Sequence, residues 1–541
     1  MPATAVGFEM QHGLRTQARW QRGAMTSVES VTDNSNAALY FIDRHVTEGR
    51  GAKVAFIQGG RSLTFADLKR DSDRMVGFYE SIGIARESRV AMLVLDCLEF
   101  PMIFWGSLKA GVIPVALNTL LSTEQYRVIL ADCRAKVLFV SAPLFDVVAP
   151  LIGAHPTIEK VFVVGGSAGD LPSFEQRLAD SQTGPVVDAA ADEAAFWLYS
   201  SGSTGMPKGV IHVHSSLRGT VDTYASQVLG IREDDTVFSV AKLFFAYGLG
   251  NGMTFPLSVG ATTVLFGGRP TPEAVFEVLE THRPTIFYGV PTLFGAMLGA
   301  VGDGPVPGTD RLRISVSAGE ALPQEIGERW RAKTGTDILD GVGSTEMLHI
   351  FLSNVPGDVA YGTSGVAVPG YEVRLVDDDG ADVAEDEVGE LLVRGETAAS
   401  GYWNQRAKSR ATFLGEWTRT GDKYTRRGDG RHIYCGRTDD MFKVSGIWVA
   451  PFEVESALIA HPAVLEAAVV PQEDEEGLLK PKAYVIRAEA GNDTDPVALF
   501  ETLKEHVKGE IGQWKYPRWI EFVDDLPKTA TGKIQRFKLR G

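Results

Sequence analysis

Short apolar runs alternate along much of the chain with segments that have the apolar period of a helix. Arg89–Leu95, for example, is a nearly continuous apolar run, and Glu99–Lys109 after it has helical spacing. Near-continuous apolar strands separated by helices are typical of parallel sheets whose two faces are both covered. The pattern therefore predicts a large α/β region with strands at Arg89–Leu95, Ala135–Ser141, Lys160–Gly165, Thr262–Phe266 and Thr285–Tyr288.

The pattern changes beyond Val373, where glycine- and aspartate-rich turns separate short strands. This part predicts a small β-rich portion, with strands at Glu372–Val376, Gly389–Arg394 and His432–Cys435. The last hundred or so residues mix both periods, which indicates an α+β unit. Its expected helices are Phe452–Ala460 and Val497–Lys508, and its expected strands are Glu466–Val470, Lys482–Ile486 and Trp519–Val523.

The charged segment Gly436–Asp440 is the expected domain boundary, because linkers form where few apolar contacts cross. We expect a flexible N-terminal tail at 1–36, an N-terminal domain at 37–438 and a mobile C-terminal domain at 439–541. The predicted fold class is α/β: a large domain of parallel-rich sheets flanked by helices, a small β-rich portion, and a smaller α+β C-terminal domain.

Composition narrows the class of protein. The chain has 541 residues, of which 44 % are hydrophobic and 23 % are charged, which is the mixture of a soluble globular protein. That length is several times the roughly 150 residues of a single domain. The formal net charge of −16 disfavours nucleic acid and anionic membranes as partners, so an anionic ligand must meet local positive charge.

The chain also lacks the signals of a membrane span and of a disulfide framework. The longest apolar stretch, Met102–Leu121, is interrupted by Lys109 and Pro114, which suits a buried helix and turn. The three cysteines lie far apart and form no Cys-x-x-Cys pair. We expect a cytoplasmic protein that does not span a membrane.

The segment Tyr199–Gly209 (YSSGSTGMPKG) has the composition of a phosphate-binding loop. Its glycines let backbone N–H groups approach anionic oxygens, its hydroxyl side chains add donors, and Lys208 adds a positive charge. The Walker spacing, Gly-x-x-x-x-Gly-Lys, does not fit it.

This loop resembles the nucleotide loop of the adenylate-forming superfamily, which includes acyl- and aryl-CoA ligases, luciferase and the adenylation domains of peptide synthetases. The resemblance runs from about Ala37 to Gly541 through about six motifs in the expected order. It implies that the loop binds nucleotide through Ser200, Ser201, Gly202, Ser203, Thr204, Gly205 and Lys208.

Three further motifs match the superfamily. Gly343–Glu346 (GSTE) resembles its Thr-Glu motif, which implies catalytic roles for Thr345 on phosphate and for Glu346 on Mg²⁺. Ser317–Pro323 (SAGEALP) is similar to the segment that lines the adenine and the acyl pocket, and Thr420–Asp422 (TGD) resembles a strand end whose aspartate binds the ribose. The implied nucleotide contacts from these motifs and the adjoining strand are Ala318, Gly319, Glu320, Asp340, Gly341, Val342, Thr345 and Asp422.

The C-terminal motifs imply a moving domain. Gly436–Asp439 resembles the superfamily's hinge, in which Arg437 contacts nucleotide and Asp439 is the pivot. Pro527–Arg536 (PKTATGKIQR) resembles its C-terminal lysine loop and makes Lys533 the expected catalytic lysine. The expected path of the coenzyme A thiol is lined by Lys443, Ser445, Gly446 and Trp448.

The sequence motifs of the expected acyl pocket resemble those of aryl ligases. Lys242–Asn251 (KLFFAYGLGN) stands where related ligases carry a histidine motif, with Phe245 at the histidine position, and together with Gly343–Asn354 it is most similar to benzoate-CoA ligases. Aromatic walls and small residues suit a flat ring. The expected pocket residues are Phe244, Phe245, Ala246, Tyr247, Gly248, Gly343, His349 and Ile350.

The resemblance predicts an aryl-CoA ligase that uses ATP, Mg²⁺ and coenzyme A to activate benzoate or an amino-, hydroxy- or halo-benzoate. The main alternative is an adenylating enzyme that loads a carrier protein, and a nucleotide sensor without turnover is the non-enzymatic alternative. Val342 departs from the aromatic residue that often stacks on adenine, and His349 is equally compatible with a structural role. No role is predicted for His212, the ring substituent stays open, and a homodimer is one expectation for the assembly.

Overall fold

The computed structural model describes residues 34–201, 207–438, 440–444, 447–488, 491, 494–528 and 534–540. The predicted N-terminal tail lies outside them up to residue 33. Residues 35–541 belong to one compact unit.

The described strands are numbered in chain order. They are β1 Val54–Gln58, β2 Arg61–Thr64, β3 Arg89–Leu93, β4 Ile113–Ala116, β5 Val137–Ser141, β6 Lys160–Val164, β7 Ala194–Ser201, β8 Pro207–Val213, β9 Thr236–Ser239, β10 Thr262–Val264, β11 Ile286–Gly289, β12 Ile314–Ala318, β13 Ile338–Gly343, β14 Ile350–Ser353, β15 Val366–Ala367, β16 Glu372–Val376, β17 Gly389–Arg394, β18 Gly401–Tyr402, β19 Phe413–Leu414, β20 Trp417–Arg426, β21 His432–Arg437, β22 Phe442–Val444, β23 Ile447–Val449, β24 Val464–Glu473, β25 Leu479–Arg487 and β26 Trp519–Phe522.

The described α-helices are α1 Arg44–Thr47, α2 Phe65–Ser81, α3 Glu99–Lys109, α4 Thr123–Cys133, α5 Phe145–Val148, α6 Phe174–Ala179, α7 His214–Thr220, α8 Ala246–Leu249, α9 Phe255–Val259, α10 Pro272–His282, α11 Pro291–Val301, α12 Gln324–Thr334, α13 Arg406–Thr412, α14 Pro451–Ile459 and α15 Pro496–Ile511. Helix α2 begins with a reciprocal cap, in which the Thr64 side chain accepts from the Asp67 N–H and the Asp67 carboxylate accepts from the Thr64 N–H. Helix α12 ends at Gly335, whose φ of 74° is the left-handed conformation that glycine adopts without strain.

Two large mixed sheets form the N-terminal region. One has the strand order β15-β14-β13-β12-β11-β9-β10-β1-β2, and its central strands β13 to β1 are parallel. The other has the order β18-β8-β7-β4-β3-β5-β6, with β7 to β6 parallel. Strands such as β5 and β12 are buried at every position, as a sheet covered on both faces requires. The predicted α/β region is confirmed.

Strands β16, β17, β19, β20 and β21 form the predicted β-rich portion as a third sheet. The C-terminal part combines the sheet β24-β25-β26 with helices α14 and α15, around a separate apolar core that includes Val454, Leu458 and Leu503. This agrees with the predicted α+β unit. In the part of the chain that the structure describes, no helix is long and apolar enough to cross a membrane.

Candidate active site

The predicted residues of the Ser317–Pro323 and Thr-Glu motifs lie where parallel strands of the nine-stranded sheet end. Strands β11, β12 and β13 end at Gly289, Ala318 and Gly343, and the segment from Gly343 to Ile350 turns back into the antiparallel β14. Ligands of open α/β sheets bind outside the carboxyl ends of the strands. The hairpin β7–β8 of the other sheet lies beside this segment, because the His212 ring nitrogen Nε2 is 2.8 Å from the Thr345 carbonyl oxygen.

The described parts of the phosphate-loop motif form the facing ends of β7 and β8. Ser200 pairs with Lys208 in register across β7 and β8, so 202–206 connect the two strands. The predicted contacts Gly202, Ser203, Thr204 and Gly205 lie outside the described residues, and the side chain of Ser201 is not described either. The Ser200 hydroxyl is buried and has no hydrogen-bond partner among the described residues, so it is a donor available to a ligand at the end of the hairpin.

A charged cluster of Lys208, Glu346 and Tyr402 joins the hairpin to the Thr-Glu motif. Lys208 Nζ lies 3.2 Å from Glu346 Oε1, and both side chains are 15 % exposed. The Tyr402 hydroxyl donates to the same Oε1 at 2.8 Å and lies 3.3 Å from Lys208 Nζ. Burial alone would raise the pKa of Glu346, but the Lys208 charge and the Tyr402 hydrogen bond outweigh it and hold that pKa below its usual value.

The backbone around Glu346 is held by a bond within its own turn and by a bond from the segment before β18. The Glu346 carbonyl accepts from the Ala399 N–H at 2.8 Å, and the Thr345 carbonyl accepts from the Leu348 N–H at 3.2 Å. Leu348 is buried and has a φ of 67°, a conformation that costs a branched residue of order 1–3 kcal/mol. The surrounding bonds therefore fix an unusual turn immediately after the predicted metal ligand.

His212 supports the same turn from below. It is fully buried, and its ring stacks on Phe196 with 5.2 Å between ring centroids. Burial lowers the pKa of His212 to about 4, so the ring is neutral at pH 7. A neutral ring whose Nε2 faces a carbonyl carries its hydrogen there and donates to Thr345.

The predicted adenine side lies at the ends of β12 and β13. Ala318 and Gly341 are neighbours in register and both are buried, whereas Gly319 follows β12 with a φ of 98°. The Asp340 carboxyl is 4 % exposed, its Oδ1 has no partner among the described residues, and burial raises its pKa well above the usual value. Val342 and Glu320 are half-buried nearby in the chain.

The predicted ribose residue Asp422 forms an ion pair with the predicted nucleotide contact Arg437. Arg437 Nη1 lies 3.0 Å from Asp422 Oδ1 and also donates to the Thr420 carbonyl oxygen at 3.2 Å. The expectation that Thr420–Asp422 stands at a strand end is wrong, because these residues lie inside β20. Gly421 has a φ of 74° there, and the pairing register shifts beside it, so an irregularity within the strand presents Asp422.

Aromatic rings cluster on α8 and the segment before it, where the sequence predicts the aryl pocket. Phe244 is buried and Phe245 half-buried, with 4.3 Å between their ring centroids. The Tyr247 hydroxyl donates to the Val316 and Gly289 carbonyl oxygens at 3.2 and 3.3 Å, which fixes its ring against the ends of β11 and β12. Ala246 is buried, and a Cβ at Gly248 would lie 2.1 Å from the Lys242 carbonyl oxygen, so only glycine fits this turn.

His349 brings the Thr-Glu segment next to the same group of aromatic rings. His349 Nε2 lies 3.0 Å from Asn251 Oδ1 and 3.3 Å from the Tyr247 carbonyl oxygen, and burial lowers the pKa of His349 to about 3. The ring is therefore neutral, and its Nδ1 has no partner among the described residues. Ile350 is buried, and a Cβ on Gly343 would lie 2.4 Å from the His349 carbonyl oxygen, so the chain turns tightly here.

Several predicted C-terminal residues cannot be placed. Asp439, Ser445, Gly446 and Lys533 lie outside the described residues, and the side chains of Lys443 and Trp448 are not described. Their roles stay predictions. On either side of Lys533, Lys528 Nζ lies 2.6 Å from Glu466 Oε2 and Arg536 Nη2 lies 2.6 Å from Glu455 Oε2.

Sequence reasoning missed Tyr402, His212 and Asn251. Each is remote in sequence from its partner: Tyr402 and Glu346 are 56 positions apart, His212 and Thr345 133, and Asn251 and His349 98. The one available signal for Asn251 is that it ends the Lys242–Asn251 stretch of the aryl-pocket motif. For the other two residues, only the pairing of strands reveals the contact.

Comparison with known families agrees with this geometry. Residues 43–403 match the family model described as AMP-binding enzyme, and 453–533 match its C-terminal domain. The segment between the two matches contains the expected boundary Gly436–Asp440, which itself stays a prediction.

Individual relatives are similar over nearly the whole chain. The 4-hydroxybenzoate–CoA/benzoate–CoA ligase of Rhodopseudomonas palustris is 54 % identical over 93 % of this chain and 94 % of its own length. The crystal structure of a benzoate CoA ligase from Burkholderia xenovorans LB400 is 47 % identical, with a TM-score of 0.86 over 94 % of this chain and 99 % of that one. That of the anthranilate CoA ligase AuaEII in complex with anthranoyl-AMP is 42 % identical, with a TM-score of 0.87 over 93 % and 96 %.

Proposed function

The chain belongs to the AMP-binding enzyme family, and from this membership we propose that it is an ATP-dependent aryl-CoA ligase. It activates benzoate or a substituted benzoate to an aryl-adenylate with release of pyrophosphate, and then forms the aryl-CoA thioester. The three relatives described above carry the names of CoA ligases for benzoate, 4-hydroxybenzoate and anthranilate, which supports an aromatic acid as substrate.

One structural observation carries the proposal. The short segment from Gly343 to Ile350 supplies Glu346 to the charged cluster and His349 to a group of buried aromatic side chains, so a phosphate-handling group and an apolar aromatic region meet at one turn. Adenylation of an aromatic acid needs this juxtaposition, because its carboxylate must reach the α-phosphate while its ring stays in an apolar environment.

The described residues fit ATP with Mg²⁺. Among them, no group of three or more His, Cys, Asp or Glu side chains is placed to hold a metal ion alone. Mg²⁺ prefers one or two carboxylates together with phosphate oxygens, and Glu346 offers one carboxylate next to the hairpin. When bound there, the ion would neutralise charge on the phosphates.

In the first half-reaction, a carboxylate oxygen of the acid bonds to the α-phosphorus as the bond to the pyrophosphate oxygen breaks. Two anions must approach, and at about 4 Å their repulsion is worth about 4 kcal/mol at an effective dielectric constant of 20. Lys208 on the hairpin and Lys533, by its resemblance to the superfamily's catalytic lysine, offset this repulsion. The Ser200 hydroxyl, which lacks another partner among the described residues, donates to a phosphate oxygen.

In the second half-reaction, the coenzyme A thiol loses its proton and bonds to the acyl carbon, and AMP leaves with the electrons of the broken C–O bond. The thiol must reach the carbon through space that Lys533 occupies during the first half-reaction. Rotation about Asp439 would clear that space and bring Lys443, Ser445, Gly446 and Trp448 to the thiol path. Such gating is a common use of a hinge.

A pyrophosphate-release screen tests the substrate class. The acids are benzoate, 2-aminobenzoate, 4-hydroxybenzoate, cinnamate and octanoate, each with ATP and MgCl₂. We expect the highest kcat/KM for a benzoate, since an apolar pocket distinguishes ring substituents by only about 1–3 kcal/mol and accepts several of them. Highest activity on octanoate would overturn the aryl assignment.

Transfer to a carrier protein is the less favoured alternative, because the relatives of high identity are named CoA ligases. A thioester assay that replaces coenzyme A with a phosphopantetheinyl carrier protein separates the two. Cytoplasmic location and a homodimeric assembly stay predictions from the sequence.

A further inference from the structure

Glu346 is neutralised in this structure by a lysine. Lys208 Nζ lies 3.2 Å from its Oε1, within the distance of a charged hydrogen bond, and 4.6 Å from the centre of the Tyr402 ring. The Glu346 side chain is only 15 % exposed, so it needs a cation or strong donors at all times. Lys208 supplies that cation.

The same oxygen cannot keep Lys208 and also bind Mg²⁺ closely. The ion bonds to carboxylate oxygens at about 2.1 Å, which would place two cations side by side on one oxygen. Lys208 can pair with the phosphates of ATP instead, because the hairpin that carries it is the proposed phosphate site. Glu346 therefore has to exchange one cation for the other whenever nucleotide binds.

Tyr402 is built to stay in place during such an exchange. It lies in β18, which pairs with β8 at Val210, the second residue after Lys208. Its N–H donates to Ser409 Oγ at 3.0 Å, its ring packs on Phe413 with 5.4 Å between centroids, and the residue is 6 % exposed. Its hydroxyl donates to Glu346 Oε1 at 2.8 Å from this fixed backbone.

We propose that Tyr402 is a positioning residue that holds the Glu346 carboxylate while it exchanges Lys208 for the metal ion of Mg·ATP. This inference rests on the proposed function of Glu346 and deepens it. The exchange couples the two ligands: ATP alone draws Lys208 away and leaves Glu346 with Tyr402 only, whereas Mg·ATP replaces the lost cation. Metal should therefore tighten ATP binding by an amount that depends on Glu346 and Tyr402.

The experiment measures ATP binding by calorimetry without aromatic acid, once with MgCl₂ and once with EDTA. The readout is the ratio of the two dissociation constants, which reports the metal coupling without turnover. In Tyr402→Phe we expect this ratio to fall about tenfold, because Glu346 is no longer held where it takes up the metal ion; a hydrogen bond to a charged group is worth about 1.5–3 kcal/mol. In Glu346→Gln the coupling should nearly vanish, and ATP in EDTA should bind several-fold tighter because Lys208 is no longer held by a carboxylate.

Tyr361→Phe is the matched control. The Tyr361 hydroxyl donates to Asp337 Oδ1 at 2.9 Å, so the variant removes the same kind of bond, but just before the opposite end of β13. Its ratio should equal that of the wild type. A second readout is thioester formation from supplied aryl-adenylate and coenzyme A, which Tyr361→Phe should leave within twofold of wild type.

Three outcomes are distinguishable. If metal does not tighten ATP binding in the wild type, the proposed Mg·ATP site itself fails. If it does, but Tyr402→Phe keeps the wild-type ratio or loses binding equally with and without metal, the positioning role is overturned and Tyr402 only packs. Should Tyr402→Phe not fold, weaker or unchanged ATP binding in EDTA by Glu346→Gln contradicts the exchange independently.

Discussion

The charged cluster and the predicted aromatic pocket share one turn of chain, but the first contains paired charges and the second contains uncharged side chains. Lys208, Glu346 and Tyr402 keep ionised groups in a half-buried place by pairing them. The residues predicted to line the aryl pocket, from Phe244 to His349, are uncharged, and even the histidine is kept neutral by burial, which lowers its pKa to about 3. One segment serves both regions because Glu346 contacts Lys208 and Tyr402, whereas His349, three residues later, contacts Asn251 and Tyr247.

We expect substitutions in the two regions to have different kinetic effects. Changes in the charged cluster or its lysines should affect every acid equally, because they act on phosphate chemistry. Changes in the aromatic pocket should affect the KM of the acid and leave the KM of ATP as it was.

The largest expected effect comes from Lys533→Ala. Loss of the cation between carboxylate and α-phosphate should lower pyrophosphate release by at least about 10³-fold, the upper range for removing one stabilising group from a transition state. Thioester formation from supplied aryl-adenylate and coenzyme A should continue. Equal loss in both partial reactions would contradict the assignment.

Lys528→Ala is the control for that variant. It removes the same charge five residues earlier, where the ammonium pairs with Glu466 at 2.6 Å. Partly exposed pairs contribute about 0–1 kcal/mol, so both partial reactions should stay within a few-fold of wild type.

The second prediction concerns the histidine below the charged cluster. The pKa of His212 is lowered to about 4 from a value near 6.5 in the unfolded chain, so the unfolded state binds its proton first as the pH falls. Its contribution to stability is fully present above pH 6.5 and is lost progressively between pH 6.5 and 4, at up to about 1.4 kcal/mol per pH unit. Urea unfolding of His212→Gln at several pH values should show a shallower loss than the wild type.

The slope of stability against pH should differ between the wild type and His212→Gln below pH 6.5. At pH 7–8 the two slopes should differ much less, because His212 is unprotonated in both the folded and the unfolded chain. Parallel stability curves through the acid range would show that His212 is protonated in the folded protein as readily as in the unfolded one. His349, whose pKa is lowered to about 3, should add a similar acid sensitivity from the aromatic pocket.

A smaller effect is expected from His349→Phe. Phenylalanine fills the ring volume but leaves Asn251 Oδ1 without the donor that His349 Nε2 supplies at 3.0 Å. An unsatisfied buried acceptor costs about 1–3 kcal/mol, part of which we expect to appear as a roughly tenfold higher KM for the aromatic acid. An equal rise in the KM of ATP would break the separation between pocket and charged cluster.

The sequence predicts more of the charged cluster's identity than of its geometry. Glycine density and the Thr-Glu motif single out Lys208 and Glu346, and apolar runs locate β5 and β11 near their true bounds, because these signals are local. The contact between the two side chains depends on the pairing of segments 138 residues apart, which local patterns do not encode. The contact of Tyr402 with Glu346 could not be predicted from the sequence for the same reason.

The irregularity at Gly421 shows a second kind of limit. Apolar alternation locates a strand, but it does not tell whether a polar Thr-Gly-Asp segment ends the strand or bends it from within. Here β20 continues to Arg426, because Tyr424 is buried and pairs with its neighbours on both sides. A backbone φ of 74° at Gly421 absorbs the change of register.

The smallest predicted effect concerns Val342, the position on the nucleotide side that departs from the superfamily. Val342 is half-buried at the end of β13, opposite Leu352, and stands where relatives of the superfamily carry an aromatic residue that stacks on adenine. Val342→Tyr should lower the KM of ATP about fivefold, since base–aromatic stacking contributes about 1–3 kcal/mol and part of it is offset by ordering the new ring. The KM of the aromatic acid should not change.

Val342→Leu separates stacking from added apolar surface. Leucine enlarges the side chain without a π face, so the KM of ATP should stay near the wild-type value if stacking is the cause. An equal decrease in the KM of ATP in the two variants would mean that the adenine side lacks apolar contact of any kind. A raised KM for the acid in Val342→Tyr would instead show that position 342 faces the aromatic pocket, and the division of the turn into a phosphate side and a ring side would have to be redrawn.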